Sequence, residues 1–347
     1  MSPAFSSSRQ AGAFALLLLL ILLLPVLVGK SVLPSREEAY SSMGRDTIDF
    51  PNFHRQFFEE KGDIDIAIMS SSRMGCALDA PYIQEQLSEK LGRKAVVRAI
   101  TWSWDGYDAL YFIAQDLLQH RKVRMILFSD LSCDLGPGGS SDIAHHQTSY
   151  WFRFADNAEA LAGLPLKSKA SFYASAVLGM PRNLVGLLRS NLAAIPADPN
   201  KPAYNYSPTN YTPQTTTSPS DVLEYSEATK ASFRFLNGQI SPMQLAFVRK
   251  IGLLAQEHQT QLVFIHLPDF ADRSEVLIEE KAYWPDAFQT KLPMVGIAPA
   301  TLFAGMTDED IRKLYVNPAH FSQNGQSYFT RIVTPSLIQI YEDQIKP

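Results

Sequence analysis

A chain of 347 residues that is 46% hydrophobic has ample material for a core, in one large or two ordinary domains. Its formal net charge of -4 is mild. With no basic field and no acidic tail, the composition argues against a nucleic-acid partner. The strongest compositional bias lies at the N-terminus. Ala11 to Gly29 is an apolar run interrupted only by Pro25, long enough to cross a bilayer, which takes roughly 20 residues. A cleaved signal peptide, with Arg9 as its charged end, is the rival reading. Val26, Val28 and Lys30 suit a signal peptidase poorly, so residues 1–30 are expected to stay as a signal-anchor transmembrane helix. Arg9 precedes the run while Lys30 and Arg36 follow it, so the charge bias across it is weak. A short tail inside and the large domain outside the cytoplasm is the expected topology.

Residues 31–60 read as a juxtamembrane stalk with short helical pieces. A βα rhythm follows. Ile64–Met69 is a hydrophobic run expected to be a buried parallel strand, Asp79–Leu91 has helical periodicity, and Ala95–Ile100 is a β-branched run. A helix is expected over Tyr107–His120 and a third strand over Val123–Phe128. The rhythm breaks near Cys133 and resumes with a helix from about Pro242 to Gln259 and a strand over Gln261–His266. Helices over Thr307–Leu314 and from about Gln323 to Gln344 close the chain. Strands alternating with helices of this length imply right-handed crossovers and a parallel sheet. The interruption, at about 135–240, begins rich in aromatic and apolar residues. Its second part, Ile195–Ser220, is dense in Pro, Thr, Asn and Ser, as in a loop. Tyr204, Tyr206 and Tyr211 in that loop are either exposed loop residues or platforms for sugar rings.

Two short segments far apart carry the chemistry. Ser70-Ser71-Ser72-Arg73 follows the first strand, and Asn317-Pro318-Ala319-His320 precedes the last helix. A hydroxyl at the carboxyl end of a strand and a histidine ahead of the final helix are brought to one rim by an α/β sheet. A serine in a strand-to-helix turn can expose its hydroxyl and aim its own amide at an oxyanion, helped by the helix dipole. Such serines are more often turn or capping residues, and three in a row leave the nucleophile open on spacing alone. His320 strengthens the reading, because general-base work needs an imidazole near a neutral pKa beside the hydroxyl. The adjacent His145 and His146 do not recommend a metal, since neighbours rarely point at one ion and no third ligand suggests itself. Cys76 and Cys133 each fall just after a strand at the same rim. They are either small buried hydrophobes or, in an oxidising compartment, a disulfide.

On these residues the chain resembles the SGNH (GDSL-like) hydrolase superfamily, over roughly residues 62–134 and 242–345, with the middle as an insertion. The family's first block is Gly-Asp-Ser, or Gly-Ser-Ser in its membrane-anchored branch. Ser70-Ser71-Ser72 occupies it here, which places the nucleophile on Ser72. Gly106, in Trp102-Ser103-Trp104-Asp105-Gly106, resembles the oxyanion glycine of the second block. The last block, Asp-x-x-His, is represented by Asn317-Pro318-Ala319-His320. Three departures stand out. Ser70 replaces the first glycine, Ser129-Asp130-Leu131-Ser132-Cys133-Asp134 does not match the third block, and Asn317 replaces the orienting aspartate.

The resemblance implies a three-layer α/β/α flavodoxin-like parallel sheet with a helical and loop insertion, over residues 61–347, preceded by one transmembrane helix. It implies a Ser72–His320 mechanism with Asn317 orienting the imidazole, Ser72 and Gly106 amides as oxyanion donors, and neither metal nor cofactor. The layout is similar to anchored extracytoplasmic members that work beside membrane-bound O-acyltransferases, such as alginate O-acetylation and lipoteichoic acid D-alanylation proteins. The expected activity is therefore acyl transfer to, or ester hydrolysis on, an extracytoplasmic polysaccharide. The alternative is a catalytically weak or inactive accessory protein that binds a membrane O-acyltransferase or a polysaccharide assembly complex.

Overall fold

The computed structural model describes residues 7–28, 37, 40, 50–102, 106–129, 163–167, 169–170, 242–277, 284–288, 291–317 and 319–345. In chain order the helices are α1 (Ser8–Val28), α2 (Phe50–His54), α3 (Ser72–Ala77), α4 (Ala80–Leu91), α5 (Tyr107–His120) and α6 (Pro242–Glu257). They are followed by α7 (Trp284–Ala287), α8 (Pro299–Leu302), α9 (Asp308–Lys313) and α10 (Gln323–Ile345). A π-helical turn, Arg55–Glu59, continues α2. Strands β1 (Ile64–Ser71), β2 (Val97–Trp102), β3 (Val123–Ser129), β4 (Gln261–Ile265) and β5 (Met294–Val295) form one sheet. Strands β6 (Tyr315–Asn317) and β7 (His320–Phe321) pair separately.

The main sheet has the order β2-β1-β3-β4-β5 and every pairing in it is parallel. This is the doubly wound arrangement, whose ligands bind outside the carboxyl ends of the strands. Alternating side chains feed two cores. Ala67 and Met69 of β1, Ile126 and Phe128 of β3 and Phe264 of β4 pack under α5, α6 and α7. Ile66 and Ile68, Met125 and Leu127, and Val263 and Ile265 pack under α3, α4 and α10 on the opposite face. The result is three layers, helix–sheet–helix, with strands buried on both faces as the unbroken apolar runs require.

Local signals set the boundaries. Asp79 caps α4 by accepting from the Tyr82 amide at 3.1 Å, and Gly92 ends that helix with a left-handed φ of 62°. The first strand runs two residues beyond its apolar run, because Ser71 stays in register with Trp102 and the Ser70 hydroxyl meets that of Ser129 at 2.7 Å. The second strand is Val97–Trp102, displaced toward the rim relative to the β-branched run. The amino end of β1 holds a buried charge, Asp65. It accepts from Arg93 at 2.6 and 3.0 Å, from the Val96 amide at 2.8 Å and from the Tyr341 hydroxyl at 2.6 Å. Burial pushes its carboxyl upward, but these donors outweigh that and hold it below the usual carboxylate range. Its contribution to stability is therefore present above about pH 4 and lost as the pH falls further.

The N-terminal apolar run is helical as α1, with side chains described through Leu20. Among the described residues no helix is long and apolar enough to cross a membrane. The insertion at about 135–240, with Tyr204, Tyr206, Tyr211, His145 and His146, lies almost wholly outside the described residues.

What positions the last block is α10. Gln326 donates to the carbonyls of Gly75 (2.9 Å) and Leu78 (3.2 Å), and Thr330 donates to that of Ala77 while accepting from the Asp79 amide. These bonds satisfy the open carbonyls at the end of α3. At the start of α10, a Cβ on Gly325 would lie 2.0 Å from the Leu314 carbonyl oxygen and 2.6 Å from the Phe321 ring. Gly325 is thus required for space rather than for backbone conformation. Gly325→Ala should lower stability by about 2 kcal/mol, the usual scale of overpacking, read as an earlier midpoint in urea. An unchanged midpoint would show that the helix and the β6–β7 hairpin do not pack this closely.

Candidate active site

The β1 ladder ends at Ser71, and Ser72 is the first residue of α3. Its amide therefore has no partner within the helix. Its hydroxyl reaches the other end of the chain: Ser72 Oγ lies 2.9 Å from His320 Nε2. His320 opens β7, directly across from Asn317 on β6. An aromatic ladder seats this hairpin. Tyr315 stacks on Phe321 with ring centroids 4.5 Å apart, Phe321 stacks on Phe329 of α10 at 5.2 Å, and the Tyr315 hydroxyl donates to the Pro268 carbonyl.

Asn317 Oδ1 lies 2.9 Å from His320 Nδ1 and also accepts from the main-chain amides of Ala319 and His320, both at 3.0 Å. An amide NH₂ cannot accept from those two N–H groups, so the atom facing the ring must be the oxygen. The oxygen in turn requires a proton on Nδ1 and leaves the Nε2 lone pair for Ser72. In the serine-protease example, aspartate to asparagine costs about 10⁴ by favouring the wrong tautomer. Here the local backbone fixes the productive one, although asparagine cannot neutralise an imidazolium.

The imidazole is mostly buried. Burial, reinforced by the Arg73 guanidinium, pushes its pKa down to about 4. His320 is therefore neutral, and able to accept a proton, at any pH well above 4. Arg73 donates from Nε to the Ala319 carbonyl at 3.2 Å and from Nη2 to the Leu267 carbonyl at 3.0 Å. Beside it, burial raises the Asp269 carboxyl while Arg73 opposes that shift.

Trp102 is the register partner of Ser71, so β2 ends at the same rim of the sheet as Ser72. Gly106 precedes α5 with φ 148°, a conformation L residues rarely adopt. The Tyr107 amide after it donates to Gln244 Oε1 at 2.7 Å. The buried Ser71 Oγ and Trp102 Nε1 have no hydrogen-bond partner among the described residues. Residues 103–105 and 130–134, the latter most of the unmatched third block, lie outside the described residues.

Asp308 and Asp310, ahead of the hairpin in sequence, take no part. Asp310 forms a capping box with Thr307 and pairs with Lys313, and Asp308 pairs with Arg273. Cys76 is a free thiol buried in α3 with its pKa pushed up to about 12 by desolvation, which leaves it inert. Cys133 lies outside the described residues. Among the described residues no group of three or more His, Cys, Asp or Glu is placed to hold a metal ion.

Sequence reasoning brought Ser72, His320 and Asn317 together as the structure does. It missed Arg73, although a cation directly after the serine triplet was the available signal, and the Ser70–Ser129 hydroxyl pair that joins β1 to β3. Compared with known proteins, the chain matches no family model, and no curated protein matches it significantly. The tautomer is directly testable. With ¹⁵N-labelled histidine, His320 should show a protonated Nδ1 and a bare Nε2 at neutral pH, and the opposite pattern would contradict the Asn317 geometry.

Proposed function

We propose that this chain is a membrane-anchored SGNH-like serine acyltransferase or esterase that acts outside the cytoplasm. The observation that carries the reading is the continuous relay Ser72 Oγ, His320 Nε2, His320 Nδ1, Asn317 Oδ1, each contact at 2.9 Å. Ser72 Oγ attacks an acyl carbonyl carbon as its proton passes to His320 Nε2, giving a tetrahedral oxyanion and an imidazolium. The amides of Ser72, at the first position of α3, and of Gly106 are assigned to the oxyanion. Collapse breaks the bond to the leaving group, which takes the proton from Nε2 and leaves an acyl-Ser72 ester. A sugar hydroxyl or water, deprotonated by the same nitrogen, then releases the acyl group and regenerates the serine.

The acceptor on this reading is a hydroxyl of an extracytoplasmic polysaccharide and the acyl group is acetyl, both by analogy with the superfamily's anchored branch. The apolar sequence run Ala11–Gly29 is assigned to a single membrane crossing on its length and composition, and a membrane-bound O-acyltransferase to the donor side. The second reading, an inactive accessory protein, draws on Asn317, which supplies no charge to an imidazolium.

On p-nitrophenyl acetate, Ser72→Ala and His320→Ala should each reduce turnover about 1,000-fold or more. Turnover unchanged in both variants overturns the catalytic reading, and no turnover in the parent chain favours the accessory one. Asn317→Asp adds a charge without changing the tautomer. It should raise kcat about tenfold, far less than the roughly 10⁴ of a tautomer switch, and move the acid limb of kcat/KM upward from about pH 4. A loss of rate would show that the carboxylate disturbs the loop.

A further inference from the structure

We propose that Arg73 is a positioning residue of this site: it ties the His320 hairpin to the chain leaving β4 and sets a cation near an imidazole whose own partner, Asn317, is neutral. The inference rests on the catalytic reading of Ser72 and His320, and concerns a residue that touches neither the nucleophile's hydroxyl nor a substrate.

Arg73 directly follows Ser72 in α3, so any shift of its side chain is felt one residue from the nucleophile. Its guanidinium spans two segments far away in sequence, through the Ala319 carbonyl next to His320 and the Leu267 carbonyl just past β4. Only a guanidinium has the planar fork to make both bonds from one side chain; a lysine keeps the charge but offers a single point. The hairpin is otherwise seated by its aromatic ladder and by α10, which lie behind His320. On the nucleophile's side Arg73 adds a second hydrogen-bonded tie between this loop and α3, beside the Ser72–His320 contact itself.

Among the described residues, Arg73 and Asp272 both act on Asp269, and these three together with Arg273 act on Tyr315 of β6. Asp272 is engaged with His266 at 3.3 Å. Asp269 is half-buried and pushed toward its neutral form by desolvation. Asn317, the atom group in direct contact with the ring, is uncharged. Among the described residues Arg73 is the charged group that acts on His320, opposing protonation of the resting imidazole, and a cation there favours a negative oxyanion forming at Ser72.

The test uses the full chain with ¹³C,¹⁵N-labelled histidine, the His320 signal being assigned by its loss in His320→Gln. Three proteins are titrated and assayed on p-nitrophenyl acetate: the parent, Arg73→Lys and Arg73→Met. In the parent, His320 should titrate near pH 4. In Arg73→Met its midpoint should rise by about one unit, the scale of one nearby like charge, with kcat falling about tenfold or more and KM changing little. Arg73→Lys should keep the low midpoint yet still lose kcat, because charge is retained and the two-point tie is not. A His320 midpoint unchanged in Arg73→Met overturns the electrostatic part, and full kcat in Arg73→Lys overturns the positioning part. Both titrations stand without catalysis: shifted midpoints in a chain lacking turnover would support Arg73 while sinking the catalytic reading on which its name as a positioning residue depends.

Discussion

The site depends on the docking of α10 against α3. Ser72 and His320 are 248 positions apart, and no local propensity brings them together. Gln326 and Thr330 fill the hydrogen-bonding needs of the α3 carboxyl end, while Gly325 lets α10 approach the hairpin that holds the base. Each of those bonds is worth about 1 kcal/mol net. Leaving the buried carbonyls unpaired costs more, which makes the registered arrangement the favoured one. Ser72 thus sits on the helix that α10 caps, and His320 sits on the hairpin that α10 supports.

The relay that results is unusual in its charge. A carboxylate in the third position would stabilise an imidazolium and raise the basicity of the ring. Asn317 gives geometry and tautomer without charge, and Arg73 adds a cation. The resting imidazole is held neutral, and is a weak base for that reason. A weak base is far from the ideal of a pKa near the working pH. In the proposed mechanism, however, the oxyanion at Ser72 is negative and close, so the electrostatic support that a carboxylate gives permanently would arise only as the reaction proceeds. Stabilisation that grows toward the transition state is the kind that raises kcat.

The layered fold was legible because buried parallel strands are nearly pure apolar runs, and α5 and α10 announce themselves by periodicity and length. Boundaries were less so. Ser70 and Ser71 look polar and loop-like, yet the strand ladder and the Ser129 hydroxyl hold them in β1. The short helix α3 has too few residues for a periodicity signal, and the two-residue pairing of β6 with β7 is invisible in any pattern of alternation. Within the site, Ser72 and His320 were legible by residue type and position. The orientation of the Asn317 amide was not, because it follows from two backbone amides whose direction only the folded turn defines. The roles of Arg73 and Asp65 were hidden for a similar reason: each acts on partners from distant segments, at Leu267 and Ala319 for the first and at Arg93 and Tyr341 for the second.

The central claim is that the Ser72 hydroxyl is activated by the His320 ring. Labelling of the full chain with a fluorophosphonate, followed by peptide mass mapping, tests it most directly, since the reagent needs an activated serine but no knowledge of the natural substrate. The account predicts one adduct, on Ser72, whose formation rate collapses when His320 is replaced by alanine. An adduct on another serine, or labelling of Ser72 at the same rate without His320, would contradict it.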